Sequence, residues 1–231
     1  VSTFAGSGAN GSTDGLGTSA SFAVPVGVAV DASGNVYVAD FYNNNIRKIT
    51  SAGEVSTLAG SGTPGDTDAT GTSASFHSPC GVAVDATGTV YVTDTRNNKI
   101  RKITPAGVVS TLAGSGISGS TDGTGGLASF NGPNGVAIDA IGNVYVSDQN
   151  SNKIRKITPA GVVSTLAGSG ALGSTDGAAV TAKFNKPSGM AVDAAGNVYV
   201  GDSQNNKIRK IYNEGYSITP ALPAGLVLNA D

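Results

Sequence analysis

The residue types that most often carry catalysis are scarce in this chain. Its 231 residues include one histidine and one cysteine, His77 and Cys80, which stand close together in H-S-P-C. One histidine excludes a metal site built from several histidines, and one cysteine excludes an internal disulfide. No G-x-S-x-G sequence is present, and nothing completes a triad with these two residues. We therefore expect His77 to be an exposed loop residue, and we predict no catalytic residue, no metal and no cofactor.

Carboxylates recur at fixed places, but without the spacing of a calcium loop. Two sets of aspartates each follow a strand-like run and precede a turn, where a carboxylate accepts backbone N–H bonds. These sets are Asp31, Asp85, Asp139 and Asp193, and Asp40, Asp94, Asp148 and Asp202. We interpret both sets as structural, because no D-x-[DN]-x-[DN]-G sequence is present. Asp66 and Asp68 in G-D-T-D leave calcium open as an alternative, although no third ligand can be named.

These residues belong to an internal repeat of 54 positions. The sequence V-S-T-[FL]-A-G-S-G opens at Val1, Val55, Val109 and Val163, and the same offset relates Asp14, Phe22 and Arg47 to their later copies. Four repeats cover residues 1–54, 55–108, 109–162 and 163–216, and a different segment, 217–231, follows. A repeat of this length is typical of a propeller blade.

Each repeat contains four runs with the period of a β-strand. The first four consecutive long runs are 27–31, 35–40 and 45–50 in the first repeat and 55–59 at the start of the second, all rich in β-branched and aromatic residues. Ser33-Gly34-Asn35 and Asn43-Asn44 supply residues that tolerate the positive φ of tight turns. Both faces of these strands are apolar, so each sheet must be covered on both sides. The sequence therefore predicts an all-β propeller of four blades, and Phe76 and its equivalents are expected to hold the long connecting loop onto the blade.

The repeat resembles the NHL repeat. Residues 25–50, P-V-G-V-A-V-D-A-S-G-N-V-Y-V-A-D-F-Y-N-N-N-I-R-K-I-T, carry the turn glycine, Y-V-x-D, the Asn pair and I-R-K-I, and this order recurs four times up to about residue 211. The resemblance implies a β-propeller, usually of six blades in that family, so that four units depart from the family habit. Four blades is still within the range that propellers use.

The activities known in this family transfer poorly to this sequence. Some NHL relatives are lyases whose metal is held by several histidines, and His77 stands alone here, so that site cannot be carried over. Other NHL propellers bind RNA through a basic ring, for which Arg47-Lys48 and its three equivalents would be candidates. The net charge of −2 argues against this, so we predict no nucleic-acid partner and expect aliphatic stems near the rim with paired charges.

The last residues, 216–231, resemble the opening of the Ig-like or cadherin-like modules of bacterial surface proteins. The resemblance implies a secreted or surface protein of which this chain is a piece, and the chain starts at Val1 and not at a methionine. No run approaches about 18 apolar residues, so we expect no membrane span.

Counting strands leaves two segments competing for one place. Val1–Ala5 reads as a fourth strand without its first three, and 207–212 reads as a third strand that needs a fourth. The N-terminal strand would fill that place in a closed ring, but Tyr216–Pro220 follows where the fourth strand belongs. The segment left over could pair with another molecule, which would make rings or filaments. The candidate ring-closing or inter-subunit residues are Val1, Thr3, Ala5, Tyr216 and Ile218.

Recognition of a specific partner is expected at the positions where the four repeats differ in sequence. Phe41-Tyr42 becomes Thr95-Arg96, Gln149-Asn150 and Ser203-Gln204 in the turn after Y-V-x-D. Phe41, Tyr42 and Arg96 are the candidate partner-contact residues, since aromatic and arginine side chains anchor interfaces, although such turns also drift freely. We predict a non-enzymatic extracellular structural and interaction module that binds other surface proteins or further copies of itself. A metal-dependent lyase or lactonase and a glycan-binding module are the alternatives.

Overall fold

A computed structural model describes residues 1–213 and shows an all-β chain. Its main strands form four antiparallel sheets, numbered 1 to 4 in chain order. Sheet 1 contains β1 (Gly15–Leu16), β2 (Pro25–Val30), β3 (Val36–Asp40), β4 (Asn45–Ile49) and β5 (Glu54–Ala59). Sheet 2 contains β6 (Pro79–Val84), β7 (Val90–Asp94), β8 (Lys99–Ile103) and β9 (Val109–Ala113). Sheet 3 contains β10 (Gly123–Thr124), β11 (Pro133–Ile138), β12 (Val144–Asp148), β13 (Lys153–Ile157) and β14 (Val162–Ala167), and sheet 4 contains β15 (Pro187–Val192), β16 (Val198–Asp202) and β17 (Lys207–Ile211).

The long strands of each sheet form a meander in which consecutive strands pair, and the two-residue strands β1 and β10 pair with β5 and β14 at the outer edge. In sheet 1 the register places Val38 opposite Val28 on one side and Arg47 on the other. The turn between the middle strands is a short 3-10 turn that ends in an asparagine with positive φ, such as Asn44 at 50°. These 3-10 turns cover Phe41–Asn43, Thr95–Asn97, Gln149–Ser151 and Ser203–Asn205. Further 3-10 turns at Gly17–Ser19, Gly71–Ser73 and Gly125–Leu127 lie in the loops that connect the sheets.

The core lies between the sheets. We call the face of a sheet that packs on the next sheet its forward face, and the face that receives the previous sheet its rear face. Both faces are apolar, so each junction is a closed apolar layer. The first junction joins Tyr37, Ala39, Ile46 and Ala59 of sheet 1 to Val82, Val90, Val92, Ile103 and Val109 of sheet 2.

The innermost strands approach their neighbours so closely that only glycine fits. A Cβ built on Gly27 would lie 2.1 Å from the carbonyl oxygen of Cys80, and one on Gly135 would lie 2.1 Å from that of Ser188. Gly81 faces the carbonyl oxygen of Asn134 in the same way, at 2.4 Å. Gly189 in sheet 4 has no described atom within 4 Å. The glycine of the P-x-G sequence (Gly27, Gly81 and Gly135) thus marks the place where each of sheets 1 to 3 touches the next sheet.

The two outer sheets keep one face open in the described part of the chain. Val28 on the rear face of sheet 1 is 63% exposed, whereas its equivalents Val82 and Val136 are both 7% exposed. Ile208 on the forward face of sheet 4 is 78% exposed, and its equivalents Ile46, Ile100 and Ile154 are fully buried. The first strands contact one another in the order β2–β6–β11–β15.

The N-terminal segment differs from the prediction. Residues 1–5 form no strand, and Val1, Thr3 and Phe4 are exposed. A strand needs a partner for its backbone groups, and none of the described residues 1–213 offers one to this segment. Whether Val1, Thr3 and Ala5 pair with another chain stays a prediction, and Tyr216 and Ile218 lie outside the described residues. No helix of the described chain is long and apolar enough to cross a membrane.

Candidate functional site

A buried arginine organises each sheet. Arg47 is fully buried on β4, and its Nη1 donates to Asp40 Oδ2 at 3.1 Å and to the Ser21 carbonyl at 3.0 Å. Its Nη2 donates to Asp14 Oδ1 and to the Thr13 carbonyl. Equivalent pairs join Arg101 to Asp68 and Asp94, Arg155 to Asp122 and Asp148, and Arg209 to Asp176 and Asp202.

The same arginine lies over the aromatic ring of the connecting loop. The guanidinium carbon of Arg101 is 5.1 Å from the centroid of the Phe76 ring, which is fully buried. A cation over an aromatic face is attracted by the ring quadrupole. The phenylalanine therefore holds the loop through the arginine, a role that apolar packing alone would not reveal. The recurrence of Asp14 and Arg47, 33 residues apart, is the signal that could have shown the pairing.

The buried aspartates of this unit serve the fold and are not accessible to a substrate. Burial raises the pKa of the Asp94 carboxyl, and hydrogen bonds from Asn97, the His77 N–H and Arg101 act in the opposite direction. Burial likewise raises the pKa of Asp148. Both carboxylates are fully enclosed, so they have no exposed oxygen to offer a substrate. The turn interpretation of Asp94 was therefore too narrow, because its carboxylate also neutralises a buried arginine.

The other aspartate set caps the turn between the first two strands. Asp31 Oδ1 accepts from the N–H groups of Ser33 and Asn35, and Oδ2 accepts from the Tyr37 hydroxyl at 3.1 Å. The hydrogen bonds from Asn35 lower the pKa of Asp31. Burial and the bond to Asp31 raise the pKa of Tyr37 to about 12.

The carboxylates of the G-D-T-D segment are held by cations of the chain. Asp66 binds Lys99 Nζ at 2.7 Å, and Asp68 binds Arg101 Nη2 at 2.6 Å. Within residues 1–213, no group of three or more histidine, cysteine, aspartate and glutamate side chains lies close enough together to hold a metal ion.

His77 and Cys80 lie in the loop and first strand of sheet 2. Cys80 is buried, and its Sγ accepts from Asn134 Nδ2 at 3.3 Å. Burial raises the pKa of the Cys80 thiol, which disfavours the nucleophilic thiolate. His77 is half-buried and not fully exposed as expected. Its backbone N–H donates to Asp94 Oδ1, which holds this part of the loop against sheet 2.

The residues that vary between repeats lie together at one end of the strands. We call this surface the turn face; it consists of the first two residues of each 3-10 turn after the second strand. Tyr42 is 66% exposed, and its ring meets Phe41 edge-on at a centroid distance of 5.2 Å. Arg96 of sheet 2 is also exposed. In sheets 3 and 4 this end of the strands is polar, since Lys186 Nζ donates to Asn150 Oδ1 at 2.7 Å.

An asparagine beneath the turn face ties each sheet to the next. Asn44 Oδ1 accepts from the Ser78 N–H at 2.9 Å, and Asn98 Oδ1 accepts from the Gly132 N–H at 2.9 Å. Asn152 makes the same bond to the Lys186 N–H. The turn residues of sheets 1 to 3 therefore lie on a base that two neighbouring sheets hold in place.

The repeat itself identifies the family. The family model for the NHL repeat matches residues 22–49, 76–103 and 184–211. The chain contains NHL repeats. These NHL segments run from the loop phenylalanine to the end of the third strand, and residues 130–157 show the same order of strands and turns.

Curated relatives contain similar repeats within much longer chains. Protein SUPPRESSOR OF QUENCHING 1, chloroplastic, of Arabidopsis thaliana is 35% identical in an alignment of length 159 that covers 64% of this chain and 15% of the relative. Teneurin-4 of Homo sapiens is 28% identical in an alignment of length 228 that covers 85% of this chain and 8% of the relative. The match to each relative thus covers only a small part of its length.

Solved structures share the β-propeller fold. A structural genomics protein of unknown function from Bacteroides thetaiotaomicron matches with a TM-score of 0.67 at 27% identity, over 80% of this chain and 46% of that one. An auxiliary nutrient binding protein from Bacteroides ovatus matches with a TM-score of 0.66 at 23% identity, over 84% and 49%. A streptogramin B lyase matches with a TM-score of 0.57 at 18% identity, over 83% and 52%. This chain thus spans about half the length of the solved propellers it matches.

Proposed function

We propose that this chain is a non-enzymatic interaction module in which four NHL blades hold the turn face toward a protein partner outside the cell. One observation carries the proposal. The four repeats share the buried arginine unit, and the first three share the asparagine tie, yet the repeats differ at the two turn positions, which hold Phe-Tyr, Thr-Arg, Gln-Asn and Ser-Gln; the second of these is exposed in every sheet. A constant frame with variable exposed positions is typical of a scaffold for recognition.

The aromatic pair of sheet 1 and the arginine of sheet 2 are the expected anchors. Tyrosine and arginine are enriched among the residues that dominate interface energies. Phe41 and Tyr42 already contact each other edge-on, so little side-chain entropy is lost when a partner covers them. Arg96, on the neighbouring sheet, would pair with an acidic group of the partner.

The test replaces these anchors with the residues that the fourth repeat has. The double variant Phe41→Ser/Tyr42→Gln copies Ser203-Gln204, which the fold accepts at the same position. Ile141→Ser is the matched control, since Ile141 is 78% exposed in the turn at the other end of the strands. The full chain is immobilised, and proteins captured from the surface and secreted fractions of the source organism are quantified by mass spectrometry.

We expect a protein that the unmodified chain and Ile141→Ser retain and that the double variant retains at least about tenfold less. If no captured protein distinguishes the double variant from the control, the proposal is wrong. Binding to a glycan array that the double variant loses would assign the turn face to the glycan alternative. A stoichiometric metal in the purified full chain would favour the lyase or lactonase alternative.

The extracellular location is part of the proposal. Its support is the likeness of residues 216–231 to surface modules, a segment outside the described residues. Labelling of intact cells with a reagent that cannot cross the membrane should modify the partly exposed side chain of Lys186. Labelling that appears only after the cells are broken open would overturn this location.

A further inference from the structure

Among the described residues 1–213, sheet 4 has no counterpart of the outer strand that completes the other three sheets. β5, β9 and β14 pair with β4, β8 and β13, whereas β17 has no outer partner among residues 1–213. A cavity of about 700 Å³ lies along its free edge, lined by Ala167, Asp176, Phe184, Arg209 and Ile211 among others. An unpaired edge of this kind is a template for another strand.

The ion pair of sheet 4 shows which strand the edge is built for. In sheet 2, Asp68 accepts from the backbone N–H of Thr111 at 2.9 Å and from its hydroxyl at 3.2 Å, besides binding Arg101. In sheet 4, Asp176 binds Arg209 and is 84% exposed. The Asp176 carboxylate can therefore accept the two further hydrogen bonds, from a backbone N–H and a hydroxyl, that a strand with threonine at its centre would donate.

Residues 1–5 have the sequence of the missing strand. They read V-S-T-F-A, and the outer strands of sheets 1 to 3 read V-S-T-L-A at 55–59, 109–113 and 163–167. In sheet 1 the register sets Val55, Thr57 and Ala59 opposite Ile49, Arg47 and Ile46. By the same register, Val1, Thr3 and Ala5 would lie opposite Ile211, Arg209 and Ile208.

The N-terminal segment is already held where it could reach a neighbouring molecule. Gly6 N–H donates to the Gly17 carbonyl at 3.0 Å, as Gly60 N–H donates to the Gly71 carbonyl at 3.1 Å. The chain therefore leaves sheet 1 in the direction that the outer strand of a preceding sheet takes. Phe4 and Ala5 line a groove with Val28 and Val38 on the rear face of sheet 1, a face that no other sheet of residues 1–213 covers.

We propose that the forward face of sheet 4 receives the rear face of sheet 1 of a second copy, and that residues 1–5 of this second copy form the fourth strand of sheet 4. One docking movement makes both contacts, because every internal junction has this arrangement: the outer strand of a sheet leads directly into the sheet that packs on its forward face. The apolar residues left open at the two ends, Val28 and Ile208, are then covered as Val82 and Ile46 are. The contact is heterologous, so it makes a ring or a filament.

The chain's own tail is the competitor for this edge. By the 54-residue spacing, Thr219 falls at the place of Thr165, but Ser217 replaces the buried Val163 and Pro220 replaces Leu166. Serine loses the apolar contact, and proline has no N–H to donate to a sheet. The N-terminal segment has neither defect, so the second copy is the better occupant.

Gly189→Ala separates assembly from folding. A Cβ on Gly189 meets no described atom within 4 Å, so the single molecule should tolerate it. In the proposed contact it would meet the carbonyl of Val26 of the second copy, as a Cβ on Gly27 would meet that of Cys80 at 2.1 Å. The matched control is Gly126→Ala, which likewise has nothing within 4 Å and lies in a loop of sheet 3.

Sedimentation velocity of the full chain over a range of concentrations measures the assembly. We expect the unmodified chain and Gly126→Ala to associate, and Gly189→Ala to associate at least about tenfold more weakly with unchanged circular dichroism. A chain that stays monomeric at every concentration overturns the proposal. So does Gly189→Ala if it associates as the control does.

A disulfide test identifies the strand. In the internal register Ser56 lies opposite Lys48 and Ser110 opposite Lys102, so Ser2 should lie opposite Lys210. Mixing full chains that carry Ser2→Cys and Lys210→Cys should give a cross-linked dimer, whereas Ser2→Cys with Lys102→Cys should not, because Ser110 occupies that place. Equal cross-linking in both mixtures, or in neither, contradicts the proposal. An intrachain bond in Lys210→Cys/Ile218→Cys would show instead that the tail fills the edge.

Discussion

Sheets 2 and 4 contain the same third strand in two different environments. Both read K-I-R-K-I, at Lys99–Ile103 and Lys207–Ile211. In sheet 2 both isoleucines and the arginine are fully buried, whereas in sheet 4 the first isoleucine is exposed. An identical pentapeptide therefore contributes different amounts to stability, and the difference comes from the neighbouring sheet and the outer strand. Four predictions test this comparison, from the largest expected effect to the smallest.

The largest difference is expected at the arginine. Arg101→Ala leaves the fully buried Asp94 without its cation, which should lower the free energy of unfolding by about 3–5 kcal/mol. Arg209→Ala likewise leaves the fully buried Asp202 without its cation, but it should cost less, about 1–3 kcal/mol, because Arg209 is itself 9% exposed and Asp176 is 84% exposed, so that water can reach the site. Urea unfolding of both variants, below the concentration of any self-association, measures the two costs. Equal costs would mean that the outer strand does not matter to the ion pair.

The isoleucine of the same strand tests the apolar layer. Ile100→Ala removes a fully buried side chain from the junction with sheet 3 and should cost about 2–5 kcal/mol. Ile208→Ala removes one that is 78% exposed and should change stability by less than about 0.5 kcal/mol. The urea midpoints report the difference. A large cost for Ile208→Ala in the monomer would show that the forward face of sheet 4 is covered within the single chain.

The hydrogen bond from the Tyr91 hydroxyl to Asp85, in the turn between the first two strands of sheet 2, should make the stability of the protein depend on pH. Burial and the interaction with Asp85 raise the pKa of Tyr91 to about 12, above the ordinary 10.0. The neutral phenol is thus favoured in the folded state, so its contribution is complete below pH 10 and is lost as the pH rises from 10 through about 12. Tyr37 and Tyr145 have the same raised pKa. Tyr91→Phe should therefore show a smaller fall in Tm over this range, and an unchanged fall would contradict the assignment.

The smallest effect on stability is expected at the turn face. Phe41→Ser/Tyr42→Gln changes side chains that do not belong to the apolar clusters between the sheets. Its free energy of unfolding should stay within about 0.5 kcal/mol of the unmodified chain. Thermal unfolding checks this, with Ile141→Ser beside it. A larger loss would show that the aromatic pair supports the fold, which would weaken its role as a recognition surface.

The sequence predicts the regular part of this molecule well. β2 to β5 begin and end within two residues of the predicted runs, because period-two alternation and the glycine and asparagine residues of the turns are local signals. The family assignment follows from the same local order. The similar solved structures support the predicted all-β propeller fold, whereas the number of four blades stays a prediction.

What the sequence could not show depends on contacts between distant positions. Asp40 looks like a turn residue, and its burial against Arg47 becomes visible once β3, β4 and the connecting loop are brought together. Residues 1–5 carry a strand pattern but form no strand, because a strand exists only beside a partner. The candidate anchors Phe41, Tyr42 and Arg96 lie at one end of the strands, and their partner stays a prediction.

The asparagine ties have a consequence for how such chains change length. Each tie runs from Asn44, Asn98 or Asn152 to the residue 34 positions ahead, so every 54-residue unit brings its own link to its successor. After a gene duplication or deletion of one whole unit, the asparagine at the new boundary still finds its backbone N–H partner in the unit that follows. The number of repeats can therefore vary between descendants while the spacing of their presented side chains stays the same.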